Sequence, residues 1–295
     1  MGRNRADRDM FDLTGDKLYQ KRARLALPIL VRQAKAEQPI YYADLAEELG
    51  MPNPRNLDYV LGAVGNSLQD LSKLWKIEIP PIQALVRNQT TDLPGKGFAG
   101  FAPNPSAFRR GTLRQKRDIL KSMLSNIYHF KKWDEIVSYF NLKAKSVSPA
   151  NEEKRKRNMI VFGGSGETED HRRFKELIAH RPQILGLSPS LKPGKMEYAF
   201  GSGDAIDVLF DKSSEWLGVE VKALNSNPDD IERGIYQCVK YRALVEATMM
   251  VSQVPTRCRI IMALEGAFPW NLIPLRNTLG VEVVDELSTY SKKKV

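Results

Sequence analysis

Two short apolar runs in the second half of the chain, residues 204–210 and 217–223, constrain the fold most strongly. Each has the length of a β-strand, and the polar segment between them is short enough for a hairpin. We therefore predict two adjacent antiparallel strands. Because alternate side chains of a strand point to opposite faces, Glu220 and Lys222 share one face, and Asp207 on the first strand can meet Glu220 at the edge of the sheet.

Asp207 and Glu220 are candidate metal ligands. Carboxylate oxygens are the ligands that Mg²⁺ and Mn²⁺ prefer, and such an ion activates water for the hydrolysis of phosphate esters. The ammonium group of Lys222 can assist the nucleophile or offset the phosphate charge. The alternative is an ordinary ion pair on a solvated strand. Glu-x-Lys alone is a weak signal, because residues 152–154 repeat it in a polar segment.

A helix is predicted over residues 228–247, directly after these strands. Asn227 can cap its first turn, and Pro228 is a favoured first helical residue. Apolar residues recur at helical spacing on one side of this segment. Gln237 lies on the polar edge of the helix, from which it can face the candidate site.

Asp207, Glu220-x-Lys222 and Gln237 together resemble the core of the PD-(D/E)XK superfamily of nucleases, also called restriction-endonuclease-like. The resemblance implies an α/β domain with a central mixed sheet flanked by helices. It also implies that Gln237 supports the active site and that the helix opening the domain carries a further acid. We expect this acid to be Glu167.

The helix that would carry Glu167 is predicted over residues 166–180, with Phe174, Leu177 and Ile178 on its inward face. Glu167 lies on the same side when counted back along the helix. The alternative is that Glu167 only stabilises the positive end of the helix dipole.

The net positive charge belongs to the first half of the chain. Residues 1–158 contain 28 Lys and Arg against 17 Asp and Glu, a net charge of +11, whereas residues 159–295 contain 17 against 18, a net charge of −1. A basic half joined to a neutral half is the pattern expected when the basic half binds a polyanion. Solubility tails and RNA-binding proteins share this surplus.

The first half also contains a predicted helix-turn-helix. Residues 39–50 end in a glycine after an apolar-periodic run, residues 51–56 form a proline-containing turn, and residues 57–74 form the second helix. Arg55 and Asn56 stand at the start of that helix, where such motifs contact base edges.

A β-hairpin wing is predicted after the helix-turn-helix, from the apolar residues 82–86 and the Gly-rich residues 94–98, with Arg87 and Lys96 near phosphate. The region resembles winged-helix DNA-binding domains and, more remotely, the DNA-binding part of alkylguanine alkyltransferases. Residues 79–86 lack the Cys and His that alkyl transfer requires, which excludes that reaction. The alternative is a helical protein-interaction domain.

We therefore predict three segments: a mostly helical winged-helix DNA-binding domain (residues 1–102), a basic helical connector and linker (103–158) and an α/β nuclease domain (159–295). The two cysteines, Cys238 and Cys258, support neither a disulfide framework nor a Cys-based zinc site. With no predicted membrane span or signal peptide, we expect a cytoplasmic protein with no membrane partner.

The predicted function is a Mg²⁺-dependent DNA endonuclease of restriction or anti-phage type, with Mn²⁺ as an alternative ion. Double-stranded DNA is the expected partner, and cutting both strands predicts a homodimer, because one active site cuts one strand. Two alternatives stay open. One is a DNA-binding regulator with a catalytically inactive nuclease-like domain, and the other is a nuclease for RNA, branched DNA or single-stranded DNA.

Overall fold

A computed structural model describes residues 11–145, 168–212, 215–251 and 257–291. The chain forms two compact units, residues 1–147 and 148–295, and each unit has a hydrophobic core of its own. In the part of the chain that the model describes, no helix is long and apolar enough to cross a membrane.

The first unit is mostly helical. Its only regular strand pairing among the described residues is a parallel pair of two-residue strands, β1 and β2, in the register Ile40–Val86 and Tyr41–Arg87. Its elements in chain order are α1 (Leu18–Lys35), β1 (Ile40–Tyr41), α2 (Tyr42–Glu48), α3 (Leu57–Trp75), β2 (Val86–Arg87), α4 (Pro105–Arg110), α5 (Leu113–His129) and α6 (Trp133–Tyr139).

Helices are present where the two helices of the predicted helix-turn-helix were expected, as α2 and α3, while their role as a DNA-binding motif stays a prediction. Between them the side chain of Asn53 accepts a hydrogen bond of 3.0 Å from the backbone N–H of Arg55, which fixes the proline-containing turn. The apolar residues that recur at helical spacing along α3 are all buried: Val60, Leu61, Val64, Leu68 and Leu71. The spacing of apolar residues therefore gave the correct inward face.

The predicted wing is wrong. Residues Ile82–Leu85 form a 3₁₀ turn, Val86–Arg87 pair in parallel with β1, and Lys96–Phe101 form a second 3₁₀ segment. The described residues of this region contain no β-hairpin. The physical reason is burial, because residues 82–86 are all buried. A fully buried apolar run shows no alternation of apolar and polar residues, so its sequence does not distinguish a strand from a helical turn.

The predicted connector is also corrected. Its helices α4, α5 and α6 contribute Phe108, Leu120, Ile127, Trp133 and Ile136 to the core of the first unit, so they belong to that unit. Residues 109–131 do not form one continuous helix, because the helix is broken between α4 and α5. At the break Thr112 caps α5, and Gln115 completes a reciprocal capping box.

The second unit is α/β, with a central mixed sheet flanked by helices, as predicted. The sheet order is β3–β4–β5–β6–β7, in which β3, β4 and β5 are antiparallel neighbours and β6 and β7 run parallel to β5. Its elements are α7 (Glu169–His180), β3 (Lys195–Ala199), β4 (Ala205–Lys212), β5 (Glu215–Lys222), α8 (Pro228–Val251), β6 (Arg257–Leu264), α9 (Ile273–Leu279), β7 (Glu282–Val284) and α10 (Ser288–Ser291).

Helices α7 and α8 hold the hairpin of β4 and β5 in place. Phe174 and Ile178 of α7 are fully buried against Val208 and Val219 of the hairpin, whereas Leu177, also predicted to face inward, is only half-buried. Helix α8 contacts β5 and β6. Helices α7 and α8 therefore pack against the hairpin that carries Asp207 and Glu220, and both helices also contain polar residues.

Candidate active site

The register of β4 and β5 brings Asp207 and Glu220 together. Val208 pairs with Val219, so the next positions along the two strands are Asp207 and Glu220. There the carboxylate of Asp207 accepts the backbone N–H of Val221 through Oδ2 at 2.8 Å. This hydrogen bond fixes the carboxylate beside β5. The predicted antiparallel hairpin is confirmed, while the chemical roles of its acids stay predictions.

Glu220 is joined to the other two predicted site residues. Its side chain is almost fully buried, and Oε1 accepts a hydrogen bond of 2.7 Å from Nζ of Lys222. The same Nζ donates to Oε1 of Gln237 on α8 at 3.2 Å. The structure therefore brings Asp207, Glu220, Lys222 and Gln237 into one cluster, and Lys222 is held between a strand residue and a helix residue.

The cluster is electrostatically unfavourable for two bare carboxylates. The pKa of Glu220 is raised from 4.5 to about 7: burial and the charge of Asp207 raise it, and Lys222 and His171 partly offset the rise. A nearby cation stabilises the ionised form of a carboxyl group most strongly when that group is buried beside a second acid. The residues present therefore fit a divalent ion that prefers oxygen ligands.

Helix α7 supplies two residues that the sequence reasoning did not assign to the site. Nε2 of His171 hydrogen-bonds the carbonyl of Val221 at 3.0 Å and lies 3.6 Å from Oδ2 of Asp207. Interaction with Asp207 raises the pKa of His171. Nζ of the buried Lys175 lies 4.0 Å from Oδ1 of Asp207 and hydrogen-bonds Glu197 of β3.

A sequence signal for these two residues exists, because His171 and Lys175 are four positions apart on α7 and so share one side of the helix. Glu167 lies outside the described residues. In the described part of α7, Thr168 caps the helix by accepting the backbone N–H of His171 at 3.3 Å.

Gly234 sets how closely α8 approaches Lys222. A Cβ atom at this position would lie 2.6 Å from Cε of Lys222 and 2.8 Å from Sδ of Met262, both too close for real contacts. A glycine inside a helix lowers helix stability, so its presence in α8 has a packing reason. Gly234, a glycine inside a predicted helix, is thus a third residue near the site that the sequence indicates.

Within the described ranges, no three His, Cys, Asp or Glu side chains are grouped closely enough to hold a metal ion by themselves. Mg²⁺ does not require such a cage. It usually keeps several waters and binds through one or two carboxylates together with phosphate oxygens of a substrate. Asp207 and Glu220 could hold such an ion.

The residues predicted to bind DNA lie in the first unit. Arg55 and Asn56 are neighbours, both exposed, just before α3, and Lys96 is also exposed. Arg87 is half-buried, and its Nη1 pairs with Oδ1 of Asp92 at 3.0 Å. Arg87 is therefore less available to a phosphate than Lys96.

Comparison with known proteins gives no assignment: no protein-family model, no curated protein and no solved structure matches this chain. Function must therefore be argued from the site. The site offers two adjacent carboxylates, an ammonium group hydrogen-bonded to one of them, and a glutamine that holds the ammonium group. Asp207 and Glu220 could hold a divalent cation, and Lys222 would then place a positive charge next to it.

Proposed function

We propose that the second unit is a Mg²⁺-dependent phosphodiester hydrolase that acts on DNA, with Mn²⁺ as an alternative ion. The observation that carries this proposal is the convergence of Asp207 and Glu220 on neighbouring strands, with Lys222 bonded to Glu220. The buried carboxylate of Glu220 beside the partly buried Asp207 is costly without positive charge nearby, and a divalent cation held there would serve the hydrolysis of a phosphate ester.

Each residue of the cluster has a separate role in this proposal. Asp207 and Glu220 hold the metal ion, which supplies Lewis acidity for attack on phosphorus when it is bound. Lys222 orients the attacking water and offsets the negative charge of the phosphate. Gln237 keeps the ammonium group of Lys222 in place. Glu167 is proposed as an additional acid that assists metal binding.

The first unit supplies the support for DNA as the substrate. Residues 1–147 contain 24 Lys and Arg against 15 Asp and Glu, a net charge of +9 out of the chain's +10. Arg55 and Asn56 are exposed next to α3, in the position from which a helix-turn-helix contacts bases. We propose a DNA-binding unit of helix-turn-helix type, formed by α2 and α3. Double-strand cutting requires a homodimer or transient pairing of two copies, and a restriction or anti-phage setting is part of the proposal.

One observation favours the alternative of a DNA-binding regulator with an inactive nuclease-like unit. His171 and Lys175 both lie within 4.0 Å of the Asp207 carboxylate. Positive groups in these positions compete with a metal ion for the same oxygens. In this alternative, the cluster is a structural ion-pair network that retains DNA without cutting it.

The deciding experiment is nicking of supercoiled plasmid by the full chain in Mg²⁺ and in EDTA. The wild type is expected to nick only with Mg²⁺, and Asp207→Asn is expected to lose nicking while it retains DNA binding. Asp211→Asn is the matched control, because Asp211 is an exposed acid on the same strand. Equal cleavage by Asp207→Asn and Asp211→Asn would refute the assignment.

The same assay separates the substrate alternatives. RNA, single-stranded DNA and branched DNA are added as competitors of the plasmid, each at matched phosphate concentration. The proposal expects the duplex to be cleaved in preference to all three. Preferential cleavage of a competitor supports the corresponding alternative nuclease, and retention of DNA without any Mg²⁺-dependent cleavage supports the regulator.

A further inference from the structure

The ammonium group of Lys175 is shared unequally between two carboxylates. It hydrogen-bonds Oε1 of Glu197, whereas its distance to Oδ1 of Asp207 is 4.0 Å, which is too long for a hydrogen bond. Lys175 is buried, and a buried ammonium group needs a charged partner. The acid that takes this role is the exposed Glu197, although Asp207 is the less exposed of the two acids.

Glu197 lies opposite Asp207 on the edge strand β3, in a backbone conformation that is unusual for a strand. The register of β3 and β4 pairs the residues on either side of Glu197 with those on either side of Asp207. The φ angle of Glu197 is 51°, in the left-handed region. A residue other than glycine keeps such an angle only where the surrounding structure compensates for the strain. Among the described residues, the side chain of Glu197 interacts only with Lys175, so we attribute the strained conformation to this ion pair.

The two oxygens of the Asp207 carboxylate differ in their contacts. Oδ2 accepts the backbone N–H of Val221 at 2.8 Å and lies 3.6 Å from Nε2 of His171. Oδ1 accepts no hydrogen bond from any of the described residues, and Nζ of Lys175 lies 4.0 Å from it. Oδ1 is therefore the oxygen for which a metal ion and the ammonium group compete, because two positive charges repel each other at such short range.

We propose that Glu197 is a positioning residue, which holds the ammonium group of Lys175 away from Oδ1 of Asp207 and so leaves this oxygen to the divalent cation. Without the charge of Glu197, Asp207 is the described carboxylate that remains within 4.0 Å of the buried ammonium group. Because a buried charge without a partner is strongly unfavourable, the ammonium group then moves onto Asp207. The inference rests on the proposed function, and it assigns to Glu197 a role that acts through Lys175 without binding the ion.

Two variants separate this role from direct binding of the ion. Glu197→Gln removes the charge at nearly constant shape from an exposed side chain. Lys175→Met removes the ammonium group and fills its buried place with an unbranched apolar side chain. Asp211→Asn is the matched control, because Asp211 is an exposed acid that faces Lys195 across the same two strands, with 4.0 Å between Oδ2 and Nζ.

The first measurement is the affinity of the full chain for Mn²⁺, followed by electron paramagnetic resonance of the free ion. Glu197→Gln should weaken binding roughly tenfold, the effect of replacing a charge-assisted hydrogen bond by a neutral one. Lys175→Met should bind at least as tightly as the wild type, because the competing cation is gone. In the Lys175→Met background, Glu197→Gln should have no more effect than Asp211→Asn.

Three results would overturn the proposal. The first is a Glu197→Gln variant that binds Mn²⁺ like Asp211→Asn. The second is an equal loss of affinity from Glu197→Gln with and without Lys175, which would show that Glu197 binds the ion itself. The third is loss of binding by Lys175→Met, which would show that the ammonium group supports Asp207 and does not compete for it.

A second measurement contains no metal and separates the inference from the proposed function. Unfolding of the second unit by denaturant in EDTA gives the coupling between Lys175→Met and Asp207→Asn. This coupling should be larger in the Glu197→Gln background, because the ammonium group has then moved to Asp207. Equal coupling in both backgrounds would contradict the inference. A wild type that binds no Mn²⁺ contradicts the proposed function alone, and the coupling still decides whether Glu197 holds Lys175 away from Asp207.

Discussion

Replacing Glu220 by Gln should stabilise the second unit at alkaline pH and not at acidic pH. Burial, with a further contribution from the charge of Asp207, raises the pKa of Glu220 from 4.5 to about 7. Between about pH 4.5 and about pH 7, the folded state therefore binds more protons than the unfolded state. The free energy of unfolding therefore falls as the pH rises through this interval and stays low above it. Glutamine resembles the protonated acid and does not ionise.

The size of the effect follows from the same two values. The difference between 4.5 and about 7 corresponds to about 3 kcal/mol of cost for the ionised carboxylate in the absence of metal. For a unit of this size, such a gain raises the Tm by roughly 6–12 °C. Below about pH 4 the wild-type carboxyl is protonated in both states, and the gain should disappear.

Differential scanning calorimetry of the full chain in EDTA measures this effect, because only the transition of the second unit should move. Glu265→Gln is the control, since Glu265 is also buried but its Oε2 accepts the backbone N–H of Leu224 at 3.0 Å. That variant weakens a charge-assisted hydrogen bond and should not gain stability. A Glu220→Gln variant that is no more stable than the wild type near pH 8, or equally stabilised near pH 4, would refute the reasoning.

Two further predictions concern positioning and DNA binding. Gly234→Ala should push Lys222 out of place and slow plasmid nicking roughly ten- to a hundredfold with little loss of Tm, whereas an unchanged rate would show that Gly234 does not position Lys222. Lys96→Ala should lower the slope of log affinity against log salt by about one, and Arg87→Ala by less, because Asp92 already pairs with Arg87. Equal slopes in anisotropy titrations would contradict this ranking.

Local patterns predicted the parts of the fold that local forces determine. The hairpin of β4 and β5 follows from two apolar runs and a short loop, and strand pairing then places Asp207 next to Glu220 without further information. The inward face of α3 follows from helical spacing. Both depend on neighbours along the chain or across one turn.

The wrong and missing predictions concern features that tertiary packing determines. The apolar residues 82–86 read as a strand, but a short apolar run covered on all sides gives no periodicity to separate a strand from a helical turn. Lysine is rarely buried, so the spacing of His171 and Lys175 on α7 was not enough to predict that Lys175 reaches Asp207 and Glu197. The basic composition of residues 103–142 suggested a connector and hid the apolar stripe that joins the first core.

Mn²⁺ binding tests the central claim most directly, because it asks whether Asp207 and Glu220 form a cation site at all. Electron paramagnetic resonance of the full chain titrated with Mn²⁺ reports the free ion, and the account predicts saturable binding that competes with Mg²⁺. Asp207→Asn and Glu220→Gln should each abolish this binding, and Asp211→Asn should retain it. No binding by the wild type, or equal binding by all four proteins, would contradict the account.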